Sequence, residues 1–127
     1  MNDIEVDIWI ALKGIRDPEY PYTLTQLRVI SQKLIRADIA SKFICVGFTP
    51  TVKHCSMATV IGLCILSKLA ETFGYSWKFS VYVTKDSHMD EEAISKQLAD
   101  KERVSAALEN PSLLHLVQVA TASSEWA

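Results

Sequence analysis

The chain has 127 residues, which is the size of one domain with a substantial core. Apolar residues make up 49% and charged residues 22%, as in an ordinary globular protein. The net charge is -2, with Lys and Arg interspersed among acids, so there is no electrostatic footprint for nucleic acid.

The first residues, Met1-Asn2-Asp3-Ile4-Glu5, are acidic and carry no apolar run, which argues against a signal or transit peptide. The longest nearly apolar stretch, Met57 to Leu66, is too short to cross a bilayer and reads as buried core. A cytosolic or nuclear protein is expected, with no membrane partner. The three cysteines, Cys45, Cys55 and Cys64, form no CxxC pair. That spacing argues against a disulfide framework and against a closed zinc site made within one chain.

Taken in chain order, residues 4–15 predict a helix from Ile4, Ile8, Leu12 and Ile15, with Asp3 as a cap. Asp17-Pro18-Glu19-Tyr20-Pro21 breaks it. Residues 27–38 predict a strand whose alternation slips midway, at a bulge or bend. Residues 42–49 predict a better strand, and the short link between the two predicts an antiparallel hairpin. Residues 56–73 predict a helix that is apolar on most faces and therefore central, capped by Gly74. Residues 77–84 alternate as a strand, with Trp77, Phe79, Val81 and Val83 on one side and Lys78, Ser80, Tyr82 and Thr84 on the other. Residues 90–109 predict one charged helix, and Asn110-Pro111 opens a last helix to about residue 121.

The expected fold is therefore α+β. A small, mostly antiparallel three-stranded sheet packs with a central apolar helix and flanking helices. Residues 1–120 form the domain and residues 121–127 a loose tail.

Cys55 sits where a strand ends and a helix begins. Unpaired N–H groups and the helix dipole favour negative charge there, which lowers a thiol pKa. Lys53 and His54 add positive charge, and Thr49, Thr51 and Ser56 add hydroxyls. Two readings stay open from these residues alone: a reactive or metal-binding thiolate, or a buried cysteine acting as a small hydrophobe. Cys64, nine positions further on, points to the opposite side of the helix and reads as core, as does mid-strand Cys45. Asp17 and Glu19 could hold a cation near a thiolate, or could simply be solvated. His88 with its acidic neighbours has the same two readings, the helix dipole accounting for the acids. In the last helix Leu113, Leu114 and Val117 belong to an apolar surface wider than one face, which either enters the core or meets a partner.

Several segments carry a resemblance. Phe48-Thr49-Pro50-Thr51-Val52-Lys53-His54-Cys55-Ser56-Met57-Ala58-Thr59, followed by Ile61-Gly62-Leu63-Cys64, resembles the signature of the eukaryotic cytosolic iron–sulfur assembly component 2 family. Ile15-Arg16-Asp17-Pro18-Glu19, Lys96 to Val104 and Ala107 to Pro111 match as well, so the resemblance runs from about residue 5 to 119. Two positions depart from the pattern. Lys53 stands where the family has proline. Ser95 stands where it has asparagine, which is expected to weaken a hydrogen bond there.

The resemblance implies a non-enzymatic subunit of a cytosolic targeting complex. Its implied partners are a WD40 propeller subunit, a HEAT-repeat adaptor and apo iron–sulfur clients, among them DNA replication and repair enzymes, with a link to chromosome segregation. A homodimer is also allowed. The family's reactive cysteine falls on Cys55, the implied metal or cluster ligand. The wider family's site acids fall on Asp17 and Glu19, with Thr49 and Thr51 nearby. The late helices are implied to dock on the propeller. The implied cargo is a transient iron–sulfur cluster, shared or bridged, with zinc as an alternative occupant in purified protein. The implied location is the cytoplasm, with the nucleus as a second site. A competing reading makes the chain a small thiol enzyme, with Cys55 as nucleophile and His54 or His88 as base.

Overall fold

A computed structural model describes residues 3–17, 22–49, 55–74, 76–84 and 91–122, with the side chains at 55–57, 91 and 122 outside that description. The elements run α1 (Asp3–Leu12), β1 (Ile35–Asp38), β2 (Phe43–Phe48), α2 (Cys55–Phe73), β3 (Lys78–Val83), α3 (Glu91–Ala99), α4 (Lys101–Glu109) and α5 (Pro111–Ala122). A short 3-10 turn at Gln32–Leu34 leads into β1.

The α+β class stands, and the three strands lie in the order β1-β2-β3. β1 and β2 form the expected antiparallel hairpin, with Ile35 opposite Val46 and Asp38 opposite Phe43. β2 and β3 run parallel, with Phe43 opposite Lys78 and Phe48 opposite Val83. The sheet is therefore mixed rather than mostly antiparallel. The physical reason is α2, which carries the chain from the end of β2 back to the start of β3. A strand that returns through a helical crossover pairs in parallel.

Alternation puts Ile44, Val46, Phe48, Val81 and Val83 on one face of the sheet, and all five are buried. They meet Ile8 and Leu12 of α1, Ile61, Ile65 and Leu69 of α2, and Ile94 and Leu98 of α3 in one core. α2 packs against α1, α3, α5 and β3, which makes it the central helix its composition predicted. Gly74 closes it at φ +80°, a left-handed cap whose N–H donates to the Ala70 carbonyl at 2.9 Å.

Local chemistry shifted several boundaries. The strand expected at 27–38 is only four residues long, Ile35–Asp38. Arg28 adopts φ 60°, and Val29 N–H donates to the Leu24 carbonyl at 2.8 Å, so residues before the 3-10 turn curl instead of extending. Leu24, Val29 and Ile30 are buried all the same. Their apolar character reported burial, not strand. The first helix stops at Leu12 because Ile15 and Arg16 are drawn into extended pairing, with Arg16 bridged to Thr23 and its N–H on the Ala120 carbonyl at 3.0 Å.

The helix expected at 90–109 is two helices broken at Asp100. That carboxylate accepts from the N–H groups of Glu102 at 3.1 Å and Arg103 at 3.3 Å, so it starts α4 instead of continuing α3. Aspartate hydrogen-bonds nearby backbone more readily than it sits inside a helix. The Asn110-Pro111 start of α5 is as expected, with Asn110 Oδ1 accepting from Ser112 N–H at 3.0 Å. At its far end α5 runs on to Ala122. Thr121, expected in the tail, is buried, and its hydroxyl donates to the Val117 carbonyl at 2.8 Å. Residues 123–127 lie outside the described residues.

Gly62 is set by packing. A Cβ on Gly62 of α2 would clash with Leu98 Cδ1. Gly62→Ala gains about 1 kcal/mol of helix propensity, but overpacking at such a contact costs roughly 1–3 kcal/mol. A net loss of about 1 kcal/mol is expected in a urea unfolding curve. A gain would mean that α3 gives way freely.

Candidate functional site

β2 and β3 are parallel, so both end at the same edge of the sheet. In open α/β sheets the carboxyl ends of parallel strands are where ligands bind. The residue after each strand is a threonine, Thr49 after β2 and Thr84 after β3. Their hydroxyl oxygens are 2.7 Å apart and half-buried. Thr84 N–H donates to the Phe48 carbonyl at 3.0 Å, and Thr49 N–H donates to the Val29 carbonyl at 2.8 Å.

From Thr49 the chain passes through residues 50–54 into α2, whose first residue is Cys55. α2 is 19 residues long, and its first four N–H groups have no partner within the helix. A thiol at this end sits in the field that favours thiolate. The backbone position expected for Cys55 is therefore the observed one. Its side chain, that of Ser56, and residues Glu19, Thr51, His54 and His88 lie outside the described residues, as does Lys53.

Asp17 is a buried carboxylate, only 5% exposed, with its N–H on the Tyr22 carbonyl at 2.9 Å. It acts electrostatically on Cys64. Cys64 is nine residues along α2 from Cys55, about 13.5 Å at the helical rise. The Cys64 thiol is pushed up to about 12, first by burial and then by the Asp17 charge. It is an inert core group, as its place on the helix predicted.

Cys45 differs from expectation. It lies half-buried on the face of the sheet away from the core, between Arg36 and Ser80 in the strand register. Burial raises its pKa, against the pull of a hydrogen bond with Ser80 and of the Arg36 charge. A raised pKa disfavours the nucleophilic thiolate. Neither described cysteine is therefore suited to act as a second thiolate. Among the described residues no group of three or more His, Cys, Asp or Glu side chains could hold a metal ion. A stable four-iron cluster normally takes four thiolates, so these residues do not fit one as a resident group.

The late helices divide the expected docking residues. Leu114 is 36% exposed and Leu113 is half-buried. Val117 is 1% exposed and belongs to the core, so it is not a surface for a partner. The apolar groups that α5 does expose are Leu114, Leu116 and Val119.

One residue escaped the sequence reading, and a second makes a bond there. Thr84 was legible only as a polar position at the end of an alternating strand. Ser95, which stands in place of the family's asparagine, accepts through its Oγ from Val83 N–H at 3.0 Å. The shorter side chain still reaches because α3 packs directly on β3.

Comparison with known proteins finds close relatives. The chain is 48% identical over 120 residues to Protein AE7-like 1 of Arabidopsis thaliana, covering 94% of this chain and 78% of that protein. It is 50% identical over 113 residues to MIP18 family protein F45G2.10 of Caenorhabditis elegans, covering 87% and 71%. It is 47% identical over 111 residues to Cytosolic iron-sulfur assembly component 2B of Mus musculus, covering 87% and 68%. No protein-family model matches the chain. Among the described residues no helix is long and apolar enough to cross a membrane.

Proposed function

Given that this chain belongs to the cytosolic iron–sulfur assembly component 2 family, together with the MIP18 and AE7 proteins, we propose that it serves cytosolic iron–sulfur protein assembly as a non-catalytic scaffold and carrier. The observation that carries the reading is the place of Cys55, the first residue of α2, just beyond the carboxyl edge of the parallel strand pair. A thiolate favoured by a helix N-terminus is a ligand for soft metals and for iron–sulfur cargo.

One thiolate cannot retain a four-iron cluster. In this reading the [4Fe–4S] cluster is cargo, held briefly between Cys55 and thiolates supplied by a partner or a second copy. Zinc would bind the same thiolate when no cluster is supplied. The partners are a WD40 propeller subunit, met through the exposed residues of the late helices, a HEAT-repeat adaptor, and apo-clients that include DNA replication and repair enzymes. Such a subunit would work in the cytoplasm and, for nuclear clients, in the nucleus.

The test is cluster delivery to an apo-client by the complex containing Cys55→Ala. Delivery is expected to fall by about tenfold or more, since losing even a group that only orients a metal ligand acts on that scale, with no change in the melting curve. Delivery at the native rate by the variant would remove Cys55 from the mechanism and leave a purely structural subunit.

A further inference from the structure

β1 stands at one side of the sheet, with β2 as its neighbour there. Side-chain alternation buries Ile35 and leaves Arg36 exposed. The backbone alternates too. In an antiparallel pair every second residue turns its N–H and C=O toward the neighbouring strand, and the residues between turn theirs outward. An outward row of that kind is a template for another strand. In β1 the outward residues are Ile35 and Ala37. Ala37 N–H donates to Glu5 Oε2 at 2.9 Å, across 32 positions of chain. The Ile35 carbonyl accepts from Arg36 Nη1 at 2.9 Å. Ile35 N–H donates to the Gln32 carbonyl of the 3-10 turn. Glu5 is held at this edge by its own helix. Ile8 and Leu12 share its side of α1 at helical spacing and are buried in the core, and α1 packs against β1.

The edge is complementary to itself. A two-fold axis at Arg36 would set Ile35 of one copy opposite Ala37 of the other, so that each Ala37 N–H would meet the other copy's Ile35 carbonyl. Those are the two groups that Glu5 and Arg36 occupy. The same axis would put the two Arg36 side chains directly opposite each other on the exposed face, where like charges repel. We infer that Glu5 and Arg36 together close the β1 edge against a second copy of this chain. Arg36 does so twice, by covering an acceptor and by its charge. The closure does not depend on the role of Cys55.

The test uses the full chain at micromolar and at millimolar concentration. Mass in solution is measured, and amide exchange is followed residue by residue. At micromolar concentration Glu5→Ala is expected to speed exchange of the Ala37 amide at least about tenfold, the worth of one hydrogen bond to a charged group. Glu5→Gln keeps an acceptor oxygen and is expected to leave the edge closed. The double variant Glu5→Ala, Arg36→Ala is expected to move toward twice the native mass at millimolar concentration, with the Ala37 amide slowing again as the two edges pair. In the native chain exchange at residues 35–38 should be the same at both concentrations. Should the Glu5 variants not fold, Arg36→Ala alters only an exposed side chain and is expected to associate more than the native chain, with added protection at Ala37.

A native Ala37 exchange rate in folded Glu5→Ala would overturn the role of Glu5. A double variant that keeps the native mass at millimolar concentration would overturn the closure. Association without added protection at Ala37 would overturn it as well, by placing the contact on another surface.

Discussion

Val117→Asp should unfold the protein, whereas Leu114→Asp, three residues earlier on the same helix, should leave it folded. Val117 is 1% exposed and Leu114 is 36% exposed. α5 packs against α2 and α4, and Val117 lies among the core residues of that contact. An aspartate there would lose roughly 1.5–3 kcal/mol of apolar burial. An uncompensated buried charge adds about 3–5 kcal/mol. Domains of this kind have a total stability of about 5–15 kcal/mol.

The expected result for Val117→Asp is loss of cooperative melting in circular dichroism, or a drop of more than about 15 °C. Leu114 lies in the first turns of α5, where an acidic side chain is favoured by the helix dipole, so its melting temperature should move by only a few degrees. If α5 docks on a partner, binding should still be lost in Leu114→Asp. A native melting curve for Val117→Asp would mean that α5 does not seal the core.

The second large effect is alkaline. The Cys64 thiol ionises near 9.0 in the unfolded chain and at about 12 in the folded one, because burial and the Asp17 carboxylate oppose the thiolate. The folded state therefore holds its proton longer. This stabilising contribution is present in full below pH 9 and is lost as the pH rises toward 12. The loss is about 1.4 kcal/mol for each pH unit in that window. Unfolding curves at pH 8 and at about pH 10.5 should therefore differ by roughly 2 kcal/mol from Cys64 alone. Burial raises Cys45 and Tyr82 as well, so the native protein should lose more than this. Cys64→Ala isolates the share of one thiol: the variant should lose about 2 kcal/mol less than the native protein over the same interval. Equal losses would place Cys64 in contact with water.

Much of this fold was legible before any coordinates. The apolar run from Ala58 to Leu69 has too few polar positions for a solvated face, and it became the central helix. Asn110-Pro111 announced α5 because an asparagine cap and a proline at the first helical position are local chemistry. The β1–β2 hairpin followed from two apolar runs with a short link. Where the reading failed, a local rule had met a non-local one. Leu24, Val29 and Ile30 are apolar because they are buried, and backbone turns hold them there without a strand. Asp100 looked like one more charged residue on a helix face and proved to be the cap that divides α3 from α4. Val117 and Leu114 are both apolar residues of one helix, and nothing in their order says which turns inward.

The candidate site divides in the same way. By itself the sequence determined that Cys55 stands at the start of a long helix that comes next in the chain after a strand, because helix starts and strand ends are governed by neighbours within a few residues. It also separated Cys55 from Cys64, since nine residues make two and a half helical turns. Only the tertiary structure decided that β3 returns parallel to β2, that Thr84 arrives beside Thr49, and that Asp17 is buried near Cys64. Hydrogen-bond ladders and charge contacts between residues tens of positions apart depend on how the helices pack. That packing is chosen by the whole core at once and leaves no periodic trace in any one segment.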